Sequence, residues 1–348
     1  MAGRFGRSVP ISDNAFHRSS TRRSPPTIVT AARLSSHSHP QTSFGSGGID
    51  DVGALAQRLR GHVETLARDI GERHVLRPSA LAAAAEFIRR EWTTRHLRVG
   101  ALAYRTGGVR CDNLEIAIPG RARPEEIVLV GAHYDTVAGS PGADDNASGV
   151  AALLEIGHML ARAKPRRTIR LVAFVNEEPP FFPWGEMGSR VYARAARRRG
   201  DDIRVMLSLE MLGCYSARPG SQRYPPLLRR FYPDRGNFVA FVSNLASRRL
   251  LRETVRAFRA HSDFPSESLA TFAWVPGVSW SDHLSFWGEG YRALMVTDTA
   301  FYRNPHYHTR RDTAERLDYR AMARVAGGLA LATLVLAGGS AVGCEDAG

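Results

Sequence analysis

Apolar residues recur at three- and four-residue spacing over residues 50–74 and 79–96, a period that predicts two helices. The pattern then changes. "NLEIAIPG" from Asn113 and "EEIVLVGAHYD" from Glu125 are short apolar runs bounded by Pro, Gly and Arg, and they predict two strands joined as a hairpin or lying as neighbours. Downstream, helix and strand patterns alternate. "GVAALLEIGHMLAR" from Gly149 predicts a helix, "RTIRLVAFVNEE" from Arg167 a strand, "GSRVYARAARRRG" from Gly188 a helix and "IRVMLSLEMLG" from Ile203 a strand. "GNFVAFVSN" from Gly236 predicts a strand, "SRRLLRETVRAFRAH" from Ser247 a helix and "YRALMVTDTA" from Tyr291 a strand. Such alternation predicts a three-layer α/β/α sandwich around a mixed, mostly parallel sheet.

In sheets of this kind the active site sits at the carboxyl ends of the strands. Four predicted core strands end in metal-ligand residue types: His133 and Asp135, Glu177 and Glu178, Glu210, and Asp298. "HYHTRRDT", containing His308, follows the last of these. Each group has an ordinary reading. His-x-Asp is common in loops, Asp144-Asp145-Asn146 before a helix serves as a cap cluster, and a Glu-Glu pair after a strand commonly faces solvent. What changes the reading is that all of them converge on one rim. Two imidazoles with several carboxylates suit Zn²⁺. So many ligands exceed what one catalytic zinc with an open position takes. They fit two ions about 3.5–4 Å apart, with one of two adjacent glutamates binding metal and the other free to accept a proton.

The order His-x-Asp, Asp-x-x-Ser-Gly, Glu-Glu, acidic residue, His-Thr resembles the co-catalytic zinc exopeptidases of peptidase family M28. That family includes bacterial leucyl aminopeptidases and aminopeptidase S, and glutaminyl cyclases share its fold. The resemblance runs over about residues 75–340, through "HYDTV", "GADDNASGVAALLE", "NEE…MGS", "LSLEMLG", "SDHLSFW" and "PHYHTRRDT". It implies that His133, Asp145, Glu178, Glu210 and His308 hold two Zn²⁺, with Asp145 bridging. It implies Glu177 as the general base, Asp135 behind His133, and a cis Asp145–Asn146 peptide. Tyr307 resembles a tyrosine that stabilises the oxyanion in some members. Asp282 in "SWSDH" is a candidate outer-sphere or amine-binding residue, while His283 and His306 are read as ordinary polar residues.

Two departures stand out. Glu210 replaces the Asp of the simplest members. "PPFFPWGEMGS" after Glu178 is longer and more aromatic than the usual link, and is expected to lie beside the metals and shape the substrate pocket. The 98-residue interval from Glu210 to His308 carries its own sheet and helix signals, which leaves no room for a large inserted dimerisation lid. The implied protein is a monomeric aminopeptidase acting on peptides. The alternatives are a single-zinc glutaminyl cyclase and a non-catalytic binding protein on the same scaffold.

Composition changes this picture little. The 348 residues carry a net charge of +13, which invites a nucleic-acid reading. The charge is almost all arginine scattered along the chain, with no basic-aromatic motif beside it, so no nucleic-acid partner is expected. Three widely spaced cysteines make no disulfide framework or metal knuckle. Residues 1–48, rich in Ser, Arg, Pro and Gly, read as a disordered or targeting tail with no apolar signal region, before a catalytic domain over 49–345. The compartment is left open between the cytoplasm and export. The uncharged run Val325–Val342 is barely long enough for a membrane span and is read as a terminal core helix.

Overall fold

The computed structural model describes residues 52–225 and 228–340. The proposed tail and its boundary near residue 48 lie outside the described residues, as does Cys344. Cys111 and Cys214 are free thiols.

Eight strands form one sheet: β1 (Val99–Thr106), β2 (Val109–Ile118), β3 (Arg123–His133), β4 (Arg167–Phe174), β5 (Asp202–Glu210), β6 (Val239–Asn244), β7 (Ser266–Thr271) and β8 (Ala293–Thr297). Their spatial order is β1-β2-β4-β3-β5-β8-β6-β7. The central four, β4-β3-β5-β8, run parallel, while β2 and β6 flank them antiparallel. The expected hairpin between β2 and β3 does not form, because β4 pairs with both and lies between them. The reason is visible in β3, where Ile127 to His133 are all buried. A strand buried on both faces gains more from parallel neighbours on each edge than from a two-stranded ribbon.

Helices cover both faces. They are α1 (Val52–Glu64), α2 (Pro78–Thr94), α3 (Gly149–Leu160), α4 (Gly188–Arg199), α5 (Arg248–His261), α6 (His283–Gly288) and α7 (Tyr319–Leu336). Along β3, Val128 and Val130 enter the core shared with α1, α2, α3, α5 and α7, while Ile127 and Leu129 enter the core under α4 and α6. That is the period-two alternation of a strand between two apolar layers. The helix α7 is apolar and long enough to cross a membrane, yet its Val325, Ala326 and Leu329 are buried in this core. Gly328 lets it approach α5 closely, since a Cβ there would lie 2.6 Å from the Phe258 ring and from Ser262 Cβ.

β1, β7 and α6 have no counterpart in the hydrophobic pattern. β1 and β7 are edge strands with mostly exposed or half-buried residues, so no buried apolar run marks them. α6 is six residues long.

Candidate metal centre

The carboxyl ends of β3, β4 and β5 bring His133, Glu177, Glu178 and Glu210 to one rim. The turn Ala143–Ser148 and the loop after β8 add Asp145 and His308. Asp145 stands at the centre. Its Oδ1 lies 3.4 Å from His133 Nε2, and its Oδ2 lies 3.1 Å from His308 Nε2. His133 Nε2 is also 3.4 Å from Glu210 Oε2, and His308 Nε2 is 3.2 Å from Glu178 Oε2. Two ligand groups result, His133-Asp145-Glu210 and Asp145-Glu178-His308, sharing one carboxylate.

These groups fit zinc. A tetrahedral ion with bonds of about 2.0–2.2 Å separates its ligand atoms by about 3.3–3.6 Å, close to the spacings found. Buried polar atoms normally find a hydrogen-bond partner, but His133 Nδ1 and Nε2, Glu178 Oε1 and His308 Nε2 have none.

The electrostatics agree. Burial pushes the Glu177 carboxyl well above the usual range, with Glu210, Glu178 and Asp282 adding to the rise. Burial and Asp145 push Glu178 up to about 8. Glu210 rises through burial and Asp145. Against the cost of their burial, the surrounding carboxylates raise His133 well above its ordinary value and His308 to about 10. Asp145, although buried, is held low by both imidazoles. Carboxylates crowded in low dielectric call for positive charge, which a bound dication supplies.

The support beneath these ligands is backbone hydrogen bonding. Asp135 accepts the Glu177 N–H at 3.0 Å through Oδ1 and the Glu178 N–H at 3.1 Å through Oδ2. Its Oδ1 is 3.6 Å from His133 Nδ1, too long for a hydrogen bond. Asn146 ties the turn to the end of β5, donating to Leu209 O at 2.8 Å and accepting the Met211 N–H at 3.0 Å. The Asp145–Asn146 peptide is cis. Asn176, Met211 and His308 have φ of 59°, 52° and 57°, so left-handed residues turn the chain just before Glu177, just after Glu210 and at His308 itself. Such conformations persist where the surroundings over-determine them, and they cluster at functional sites.

Several contributors carry no sequence signal. Arg73 is fully buried, and its guanidinium donates to carbonyls of Leu66, Gly71, Tyr134, Pro141 and Gly142. It fixes the loop between His133 and Asp145, and burial lowers it to about 10. Asp312, four residues after His308, accepts the N–H groups of Asp144 and Asp145. Ser281 donates to Glu210 Oε2 at 2.7 Å.

Asp282 is fully buried, neither of its oxygens has a hydrogen-bond partner, and it contacts no ligand by hydrogen bond. Its neighbour Ser281 takes the supporting role at Glu210. Burial raises the Asp282 carboxyl to about 7. Asp298 ends its strand but joins neither ligand group; it accepts the N–H groups of Cys214 and Ala300. His283 bonds Val278 O at 2.8 Å inside α6's packing, and His306 lies 3.2 Å from Arg316.

Tyr307 stacks on His308 with ring centroids 3.7 Å apart. Burial, with Asp145 and Glu178 nearby, raises its phenol far above the ordinary value, so it stays a neutral donor. Tyr307 and Glu210 line a cavity that is bounded also by Tyr224, Phe241, Met295, Trp280 and Phe301. The aromatic loop after Glu178 does not line this cavity. Trp184 on this loop is 88% exposed, and Arg190 bonds the carbonyls of Pro183 and Gly185 on either side of it.

A family model described as peptidase family M28 matches residues 113–333. The chain belongs to peptidase family M28. It is a hydrolase of the peptidase class. YfbL of Escherichia coli K12 is 38% identical over 285 residues, covering 79% of this chain and 87% of that protein. A probable zinc metalloprotease of Leptosphaeria maculans is 27% identical, over 65% of this chain and 57% of its own length. Among solved structures, the Bacillus subtilis zinc aminopeptidase BSAP shares the fold with a TM-score of 0.62 at 16% identity, covering 82% of this chain and 95% of that one. The M28 match spans the ends of β3, β4, β5 and β8 and therefore every candidate ligand.

Proposed function

We propose that this M28 protein is a two-zinc aminopeptidase that removes N-terminal residues from peptides. The observation that carries the reading is the division of the Asp145 carboxylate, with Oδ1 facing His133 and Oδ2 facing His308. His133, Asp145 and Glu210 would hold one ion, and Asp145, Glu178 and His308 the other. When bound, the ions would polarise the scissile carbonyl and bring the pKa of an attacking water toward neutrality.

Glu177 belongs to neither ligand group, yet Asp135 anchors its backbone beside that of Glu178. It takes the proton of the attacking water and delivers it to the leaving amine. Burial and neighbouring carboxylates favour its protonated form. Positive charge at the ligand groups draws that carboxyl back toward a range in which it both accepts and donates. Tyr307, a neutral phenol stacked on His308, would donate to the developing oxyanion. The cavity beyond Tyr307 and Glu210 would take the side chain of the residue being removed.

A glutaminyl cyclase on this fold would use one zinc. The completeness of both ligand groups favours the peptidase. The interval between β5 and His308 contains β6, α5, β7, α6 and β8 of the core fold, which supports an exopeptidase without a large inserted dimerisation lid. The test assays amino-acid anilides and N-terminal glutaminyl peptides side by side on one metal-quantified sample. Anilide hydrolysis with at least two zinc per chain supports the reading; cyclisation without anilide hydrolysis overturns it.

A further inference from the structure

A second group of metal-ligand residues lies away from this centre, where α1, α2 and α3 meet. Glu155, about two turns into α3, is fully buried. Its Oε1 lies 2.9 Å from His62 Nε2 on α1 and 3.3 Å from His158 Nδ1 on α3. The ligand atoms of all three residues lie within 4.8 Å of one another. Arg58 donates to the other carboxylate oxygen, Oε2, at 2.9 Å.

Proton bookkeeping shows that neutral side chains cannot close this arrangement. His158 Nε2 lies 3.3 Å from the Glu91 backbone oxygen, which can only accept, so the ring proton belongs on Nε2. That leaves Nδ1 with a lone pair, facing a carboxylate oxygen that is also an acceptor. His158 Nδ1 is accordingly a buried nitrogen without a hydrogen-bond partner, on a side chain only 8% exposed. His62 has the same layout more loosely, with its Nδ1 3.9 Å from Glu91 Oε2 and its Nε2 on Glu155. Metal-bound histidines commonly aim their second nitrogen at a carboxylate or a backbone carbonyl. Here both second nitrogens face oxygens of one residue, Glu91. Burial opposes ionisation of Glu155, but His158, His62 and Arg58 hold its carboxyl below the ordinary range.

We propose that His62, Glu155 and His158 form a structural site for a divalent cation of the zinc class, which staples α1 to α3. Two imidazoles and one carboxylate oxygen are a ligand set that suits Zn²⁺. Two of the three ligand spacings, 2.9 and 3.3 Å, lie within a few tenths of an ångström of the edges of a zinc tetrahedron, about 3.3–3.6 Å, and the third, between the two imidazoles, is no more than 4.8 Å. Arg58 neutralises the second carboxylate oxygen and keeps Glu155 presenting the first. The site lies outside the ligand groups around Asp145, so its role is to fix the helix layer rather than to touch substrate.

The test compares the full chain with His158→Gln and His62→Gln after saturation with Zn²⁺ and removal of loose metal. Each variant should hold one equivalent fewer than the unmutated protein, whatever that total is, while kcat on an amino-acid anilide stays within about twofold. Because the readout is a difference, it stands even if the two-zinc reading of the Asp145 centre fails. Equal metal content in variants and parent overturns the proposal and leaves the cluster a hydrogen-bonded network without metal. A further measurement needs no variant. Zinc added beyond the amount that restores activity should slow deuterium exchange of α1 amides by about tenfold, and unchanged exchange overturns the proposal.

Discussion

The Asp312 carboxylate accepts the backbone N–H of Asp145 at 3.1 Å through one oxygen, while its other oxygen takes that of Asp144 at 2.9 Å. Asp135 does the same for Glu177 and Glu178 across the site. Two aspartates thus hold the proposed bridging ligand and the proposed general base by their main chains, which leaves the Asp145 and Glu177 side chains outside these hydrogen bonds.

Asp312→Asn should therefore weaken metal binding although Asp312 is not a ligand. An amide has one acceptor oxygen, so one of the two N–H groups would meet an NH₂. Loss of an outer-sphere partner costs about 10–100-fold in metal affinity. A competition titration with a chromophoric chelator measures it. An unchanged zinc affinity would show that the turn holds its shape without Asp312.

Glu177→Gln should keep its zinc and lose about 10²–10⁴-fold in kcat, because glutamine is nearly isosteric but cannot accept the proton. Glu178→Gln should instead weaken one zinc, since Glu178 Oε2 faces His308 Nε2 at 3.2 Å. Metal analysis and turnover on the same samples separate the two. The opposite pattern would reverse the assignment of the pair.

The strands that carry these residues were legible in the sequence because each is a buried apolar run ending in a polar ligand type, as in "IVLVGAHYD" and "VMLSLE". The partners of those strands were not legible. Nothing local in "NLEIAIPG" says that β4 rather than β3 will lie beside it, since both offer the same alternating surface. The supporting residues were hidden for a related reason. Arg73 reaches Gly142, 69 residues on, and Asp312 reaches Asp144, 168 residues back, so their partners exist only once the sheet has formed. The aromatic loop's composition does not say which cavity it borders, and its contacts with Arg190, to the carbonyls of Pro183 and Gly185, are not marked in the sequence.

Protein stability should fall as the pH drops from about 6.5 toward about 4, through His283 among other groups. Burial lowers this imidazole to about 4 in the folded state, against about 6.5 in an unfolded chain. A depressed folded value means that its contribution is present above pH 6.5 and is lost as the pH falls through 4. The gap corresponds to about 3 kcal/mol. His283→Asn should show a correspondingly shallower loss of stability in urea titrations between these pH values. Equal slopes would mean that the buried imidazole does not titrate there.

The cavity beside Tyr307 and Glu210 makes a prediction that separates it from the aromatic loop. Trp280 lines the cavity and is 45% exposed, and its ring packs on Phe301 at 5.2 Å between centroids. Trp184 stands 88% exposed on the loop after Glu178. If the cavity receives the side chain of the N-terminal residue, removing part of its wall costs apolar contact in the transition state. A lost contact of this kind is worth about 1–3 kcal/mol, or about 10–200-fold. Trp280→Ala should therefore lower kcat/KM for leucine and phenylalanine anilides by about tenfold or more. It should affect the alanine anilide much less, because a methyl group does not reach the wall. Trp184→Ala should leave all three within about twofold. If Trp184→Ala is instead the variant that erases the preference, the loop closes over the substrate and the pocket lies on the other side of the metal centre.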